Sequence, residues 1–242
     1  MKKRLYKILG VIPARGGSKS VPRKNIALVA GKPLIAYTIE EALKSKLLTR
    51  VIVSSEDQEI IEISKRHGAE VPFVRPKTLA TDRALAVPTI QHAVREVEKM
   101  EGSEYDFVVM LQPTTPLREA RHIDDCLKKL IQTGADSVIS VLRVWDKHPY
   151  RMKIIKRGRL CDYEAETTEN MPRQDLPAVY LRNGAVYACK RNVLMNDNSF
   201  KGRDSRPYIM SEEESVNIDS VLDLRLADII LKEKMHGKSS NR

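Results

Sequence analysis

Aromatic residues are scarce in this chain: they make up 5 % of its 242 residues, and only one is tryptophan. Nucleic-acid-binding surfaces commonly interleave basic side chains with aromatic stacking platforms. The scarcity therefore argues against a nucleic-acid partner, despite a net charge of +10. Cysteine is nearly absent as well. Cys126, Cys161 and Cys189 are odd in number and far apart, which speaks against a disulfide framework or a C-x-x-C metal site and leaves reduced thiols as the expectation. No apolar run approaches the roughly 20 residues that a membrane-spanning helix needs. The apolar stretch at 8–12, behind a basic start at 1–4, is too short for the apolar region of a signal peptide. A cytoplasmic protein with no membrane partner is expected. Two phosphate-binding signatures are missing too, G-x-x-x-x-G-K-[ST] and G-x-G-x-x-G, so neither a Walker A loop nor a dinucleotide fingerprint is present.

What is present is an alternation. Short apolar runs bounded by turn signals, as expected of buried parallel strands, occur at 8–13, 50–54, 70–74, 107–111, 137–142 and 184–190. Between them lie helical periodicities: Ile35, Ile39, Ala42 and Leu43, then Ile60, Ile61 and Ser64, then Ile90, Ala93, Val94 and Val97, then Ile123, Leu127, Leu130 and Ile131. Strand alternating with helix implies an α/β protein with a three-layer, Rossmann-like, mostly parallel sheet. In such sheets the ligand crevice lies beyond the carboxyl ends of the strands, where the loops after Pro13, Leu111 and Met210 should converge. The alternation lapses at 143–181, a polar stretch with three prolines, read as an inserted arm of short strands and loops. The expected organisation is one α/β domain, 1–142 with 182–236, carrying that arm, a closing helix capped by Ser220, and a disordered tail at 237–242.

The most informative segment is IPARGGSKSVPRKNI, residues 12–26. Gly16 and Gly17 allow backbone amides to approach a phosphate closely, and Arg15, Lys19, Arg23 and Lys24 supply charge with no anion among them. A triphosphate needs both devices: inward amides, and cations that offset the charge on a departing pyrophosphate. On these residues alone a solvated basic turn stays open.

The same string resembles the signature of the acylneuraminate cytidylyltransferases, the CMP-sialic acid synthetase family that includes legionaminate and pseudaminate cytidylyltransferases. It departs at Ser20, where glycine is frequent. Val53-Ser-Ser-Glu56, Arg75-Pro76, Ala80-Thr-Asp82, Leu111-Gln-Pro-Thr-Thr-Pro-Leu-Arg118, Pro172-Arg-Gln-Asp175, Asn183-Gly-Ala-Val-Tyr187 and Ile218-Asp219 follow in the family's order across nearly the whole chain. The resemblance implies a nucleotide-diphospho-sugar transferase type of fold with a small dimerisation arm, a homodimer, and transfer of CMP from CTP to the 2-hydroxyl of a nonulosonic acid. It places Arg15, Gly16, Gly17, Ser18, Lys24, Asn25, Arg75 and Asp82 at the nucleotide. Gln112, Arg173, Asn183, Tyr187 and Lys147 fall at the acceptor sugar. Arg15, Lys24, Gln112 and Asp219 would carry the catalysis.

It also implies Mg2+ held at Asp219, with Asn217 where many members have a second aspartate. Magnesium takes oxygen ligands and is usually held by one or two carboxylates plus substrate phosphates, so the site is expected to be one negative charge short. A 3-deoxy-manno-octulosonate or other sugar nucleotidyltransferase is the first alternative, and a basic nucleic-acid-binding module a remote one.

Overall fold

The computed structural model describes residues 6–165 and 168–239. In chain order the strands are β1 (Ile8–Pro13), β2 (Leu28–Val29), β3 (Lys32–Pro33), β4 (Arg50–Ser54), β5 (Phe107–Met110), β6 (Ser137–Val144), β7 (Lys153–Lys156), β8 (Arg159–Asp162), β9 (Val179–Lys190) and β10 (Ser205–Ile209). The helices are α1 (Leu34–Leu43), α2 (Gln58–Arg66), α3 (Ala86–Glu101), α4 (Ala120–Thr133), α5 (Arg191–Met195) and α6 (Val221–Ser239). Six strands form one sheet in the order β10-β6-β9-β5-β1-β4. All pairings are parallel except those of β9, which runs antiparallel to both β5 and β6.

The apolar strands sort their side chains by parity. Ile8 and Ile12 of β1, Val51 and Val53 of β4, and Val109 of β5 pack under α1, α2 and α4. Leu9 and Val11, Ile52, Val108 and Met110 pack on the other face under α3. A run buried on both faces needs no polar alternation, which is why these strands read as continuous apolar segments. The α/β, three-layer expectation holds. A third cluster seats α6 on β2 and the start of α1 through Val29, Leu34, Ile218, Ala227 and Leu231. Among the described residues no helix is long and apolar enough to cross a membrane.

Four differences from the sequence reading have physical causes. Residues 70–74 make no strand, only an isolated bridge of Glu70 to Ile52. Val53 N donates to Glu70 O and Arg75 N to Ser55 O, but Pro72 between them has no N–H to continue the ladder. Strand β10 was not among the strands read from the sequence; Pro207 sits in its middle, and it is an edge strand, where proline is tolerated. The β6–β9 ladder runs on through Val144↔Val179, so the core ribbon extends into the segment read as arm, which then folds the β7–β8 hairpin at the Arg157–Gly158 turn. Finally, α6 continues past Lys234, so residues 237–239, read as disordered tail, are helical, while 240–242 lie outside the described residues. Its start is as expected: Ser220 and Asp223 cap each other, with Ser220 N donating to Asp223 Oδ2 at 2.7 Å.

Candidate active site

At the carboxyl ends of β1 and β5 the chain opens a cleft of about 670 Å³. Its walls are the loop after β1, the segment 75–89, the loop after β5, and Asn217 with Asp219 ahead of α6. The cleft thus gathers Arg15, Gly17, Ser18, Lys24, Asn25, Arg75, Asp82, Gln112, Asn217 and Asp219, and the three loops expected to converge do so.

The cations of the first loop are already matched by carboxylates. Arg15 Nη1 donates to Thr81 O at 2.7 Å and lies 3.1 Å from Asp82 Oδ1, while Lys19 Nζ sits 2.9 Å from Asp82 Oδ2. Hydrogen bonding to Lys19 and the nearby charge of Arg15 hold the Asp82 carboxyl below its usual range. Across the cleft Lys24 Nζ donates to Ile218 O at 2.8 Å and to Asp219 Oδ1 at 3.1 Å, tying together residues 194 and 195 apart in sequence. Its side chain is only 13 % exposed, but that of Asp219 is 72 % exposed, so the pair meets solvent on its carboxylate side. Asn25 donates its side-chain amide to Arg15 O at 2.9 Å and so braces the loop it belongs to.

Three residues read as nucleotide contacts play different parts. Gly16 donates its N–H to Glu56 Oε1 at 2.8 Å rather than into the cleft, and a Cβ there would lie 2.4 Å from Asp57 Oδ2. Close approach to Asp57, not to phosphate, therefore requires the glycine; Gly17 is the one with open space. Arg75 is 4 % exposed and spends its guanidinium on the carbonyls of Ala14 and Ser54, the latter at 2.6 Å, with Glu56 at 3.5 Å. Burial lowers its pKa. It clamps the ends of β1 and β4 and thereby shapes the loop. Asp82 lines the cleft as an acceptor-only carboxylate engaged with Arg15 and Lys19. Arg23 also leaves the loop's set of cations, forking onto Asp57 and reaching Glu59 at 2.6 Å.

On the opposite wall Gln112 lies two residues past the end of β5. Its Oε1 packs over Gly184, where φ is +82° and a Cβ would stand 2.4 Å from that oxygen. Only glycine permits both the backbone angle and the approach. Asn217 Nδ2 donates to Asp219 Oδ2 at 2.7 Å, and Asn217 Oδ1 is buried with no hydrogen-bond partner.

Four acceptor candidates are not at this cleft. Asn183 is 2 % exposed and its amide is consumed internally, accepting from Ser140 Oγ at 2.6 Å and donating to Ser215 Oγ at 2.9 Å. It knits β9 to β6 and to the turn before Asn217. Tyr187 faces the α3 side of the sheet, edge-on to Phe200, and burial raises its pKa. Arg173 sits on the arm with its guanidinium over the Trp145 ring and 3.5 Å from Asp146. Lys147 is exposed on the arm. Burial of Asp223 is outweighed by its hydrogen bonds to Ser220 and Asp219 and by the charge of Lys147, so its pKa is lowered and Lys147 is placed near the start of α6. The sequence reading missed the role of Glu56, although an acid two residues past a buried strand, on the ligand side of the sheet, was a usable signal.

A family model described as cytidylyltransferase matches residues 9–205. The chain is 33 % identical over 227 residues to the CMP-N,N'-diacetyllegionaminic acid synthase of Legionella pneumophila, covering 93 % of this chain and 97 % of that protein. It is likewise 33 % identical over 227 residues to the pseudaminic acid cytidylyltransferase of Campylobacter jejuni, with the same coverage. Among solved structures, CMP:2-keto-3-deoxy-manno-octonic acid synthetase complexed with CTP superposes with a TM-score of 0.72 at 17 % identity, over 94 % of this chain and 99 % of that one, a likeness of fold.

Proposed function

Because the chain belongs to the cytidylyltransferase family, we propose that it transfers CMP from CTP to the 2-hydroxyl of a nonulosonic acid, releasing pyrophosphate. The observation that carries this reading is the convergence in one cleft of Arg15 and Lys24 from the first loop with Gln112 and Asp219 from the facing wall. Transfer of this kind asks a protein mainly for alignment and charge stabilisation. Arg15, Lys19 and Lys24 offset phosphate charge, exchanging their internal carboxylates for the triphosphate. The open amide of Gly17 and the hydroxyl of Ser18 donate to phosphate oxygens. Gln112, with a donor and an acceptor on one amide, orients a sugar hydroxyl toward the α-phosphorus.

The residues present suit magnesium. Asp219 offers a carboxylate and Asn217 Oδ1 is a buried oxygen without a donor, a set a hard cation prefers. Asp219 and Asn217 would hold the ion, which when bound neutralises phosphate charge. Substituting Asn217→Asp puts two carboxylates side by side. At roughly 4 Å their repulsion is about 1 to 4 kcal/mol, depending on the effective dielectric. The expected outcome is a magnesium concentration for half-maximal turnover at least about five-fold lower, together with a lower melting temperature in chelator. An unchanged magnesium titration would take Asn217 out of the site.

A homodimer belongs to the same reading. Ile155, Leu160 and Tyr163 on the hairpin and just after it are 78, 72 and 64 % exposed, which supports an arm seated on a second copy and carrying Arg173 and Lys147 with it. A monomer by light scattering at assay concentration would remove that part.

The deciding experiment measures pyrophosphate release with CTP, ATP, GTP and UTP against N-acetylneuraminate, legionaminate, pseudaminate and 3-deoxy-manno-octulosonate. Turnover confined to CTP and a nine-carbon acid is expected. Turnover with the eight-carbon acid alone would make the octulosonate alternative correct, and none with any acid would overturn the reading.

A further inference from the structure

Arg118 lies just before α4 and is 2 % exposed. Among the described residues no carboxylate stands within ion-pair distance of it; burial, opposed by the more distant charge of Glu41, pulls its pKa down to about 9. An unpaired buried cation is expensive to keep unless its hydrogen bonds do something an apolar residue could not. Its Nη1 serves three acceptors at once: Gln112 O at 3.1 Å, Thr115 Oγ1 at 2.9 Å and Ala185 O at 2.9 Å.

These acceptors are the parts that fix the far wall of the cleft. The Gln112 carbonyl sets where that residue leaves β5. Ala185 follows Gly184, the residue over which Gln112 Oε1 packs. Thr115 closes the same loop, whose Thr114 O accepts from Ile218 N at 2.8 Å, between Asn217 and Asp219. One guanidinium thus joins the end of β5, the Gly184 turn of β9, and through the loop the segment that carries Asp219. The phosphate side of the cleft depends on a different buried arginine, Arg75.

We propose that Arg118 is a positioning residue for the acceptor half of the site: it holds Gln112 against Gly184, whereas the segment of Asp219, tied to it only through the Thr114 backbone, is held independently by Lys24. This rests on the reading of Gln112 as the acceptor-sugar residue. Arg118→Met removes a buried charge at the cost of leaving Ala185 O without its donor, while Gln112 O keeps the Thr115 hydroxyl at 3.1 Å; Arg118→Lys, which keeps a donor, is the companion should the methionine variant fail to fold.

Kinetics use CTP and whichever nonulosonic acid turns over fastest. The expected result is a split: R118M raises the acceptor KM at least about ten-fold and lowers kcat, the KM for CTP stays within about two-fold, and R118K recovers part of the loss. The double variant R118M/Gln112→Ala should be little worse than the worse single variant, because both act through one side chain. Equal rises in the two KM values, no change in either, or simple additivity would overturn the proposal. Should no acid support turnover, the functional reading fails instead, and crystals of R118M or R118K still decide this one. Gln112 displaced from Gly184 supports it, and Gln112 unmoved refutes it.

Discussion

Replacement of Arg15 by alanine is expected to lower kcat/KM for CTP by about 30-fold to several thousand-fold, the equivalent of roughly 2 to 5 kcal/mol for truncating one partner of a desolvated charge pair. Two effects add. On the proposed reading the triphosphate loses a guanidinium able to meet it with a planar fork. Asp82 also loses one of its two cations, so a carboxylate partly stripped of its counter-ions faces the phosphates. The second effect gives the prediction its signature: adding Asp82→Asn to Arg15→Ala should restore part of the lost rate, although Asp82→Asn alone removes a charge from the same cleft. Pyrophosphate release measured on the three variants checks this. Near-normal turnover of the alanine variant would take Arg15 out of the site.

Asp219→Asn should be the other severe substitution, reducing turnover by on the order of 10³, because a cation's stabilisation of phosphate charge amounts to several kcal/mol. The amide is isosteric and can still pair with Asn217, so the fold should stand. What changes is charge: Lys24 Nζ, 3.1 Å from Asp219 Oδ1, is freed, and one negative group leaves the neighbourhood of the triphosphate. CTP binding measured in chelator should therefore be unchanged or tighter while turnover collapses. Weaker CTP binding in chelator would mean that Asp219 acts on the nucleotide directly, contrary to this account.

The contrast between these residues and those whose polar groups turn to the protein itself shows what a sequence can display. The strands and the three converging loops were legible because burial on both faces and turn residues leave marks in the order of amino acids. That Arg15, Lys24, Gln112 and Asp219 would share one cleft was legible because each follows or precedes a regular element on the ligand side. Arg75 and Asn183 were not, because nothing in their spacing tells which carbonyl or hydroxyl will take their hydrogen bonds. Arg75 turned inward to Ala14 and Ser54, and Asn183 to Ser140 and Ser215. Gly16 looked like a phosphate glycine, since a requirement for close approach does not name the group that approaches. The antiparallel course of β9 was hidden as well: its apolar half reads like any buried strand, and direction is set by where the arm returns the chain.

That course governs how the molecule is made. Strands β1, β4 and β5 can pair once residue 110 has left the ribosome, but the strand that joins them to β6 is not complete until Lys190. Until then the open side of β5, with Val108 and Val109 bare, is an unpaired edge of the kind that invites aggregation. Its native partners lie about 80 residues downstream in the register Phe107↔Lys190 to Met110↔Tyr187. Such distant pairing is slow to form, so synthesis of this chain has a vulnerable interval between the fifth strand and the ninth.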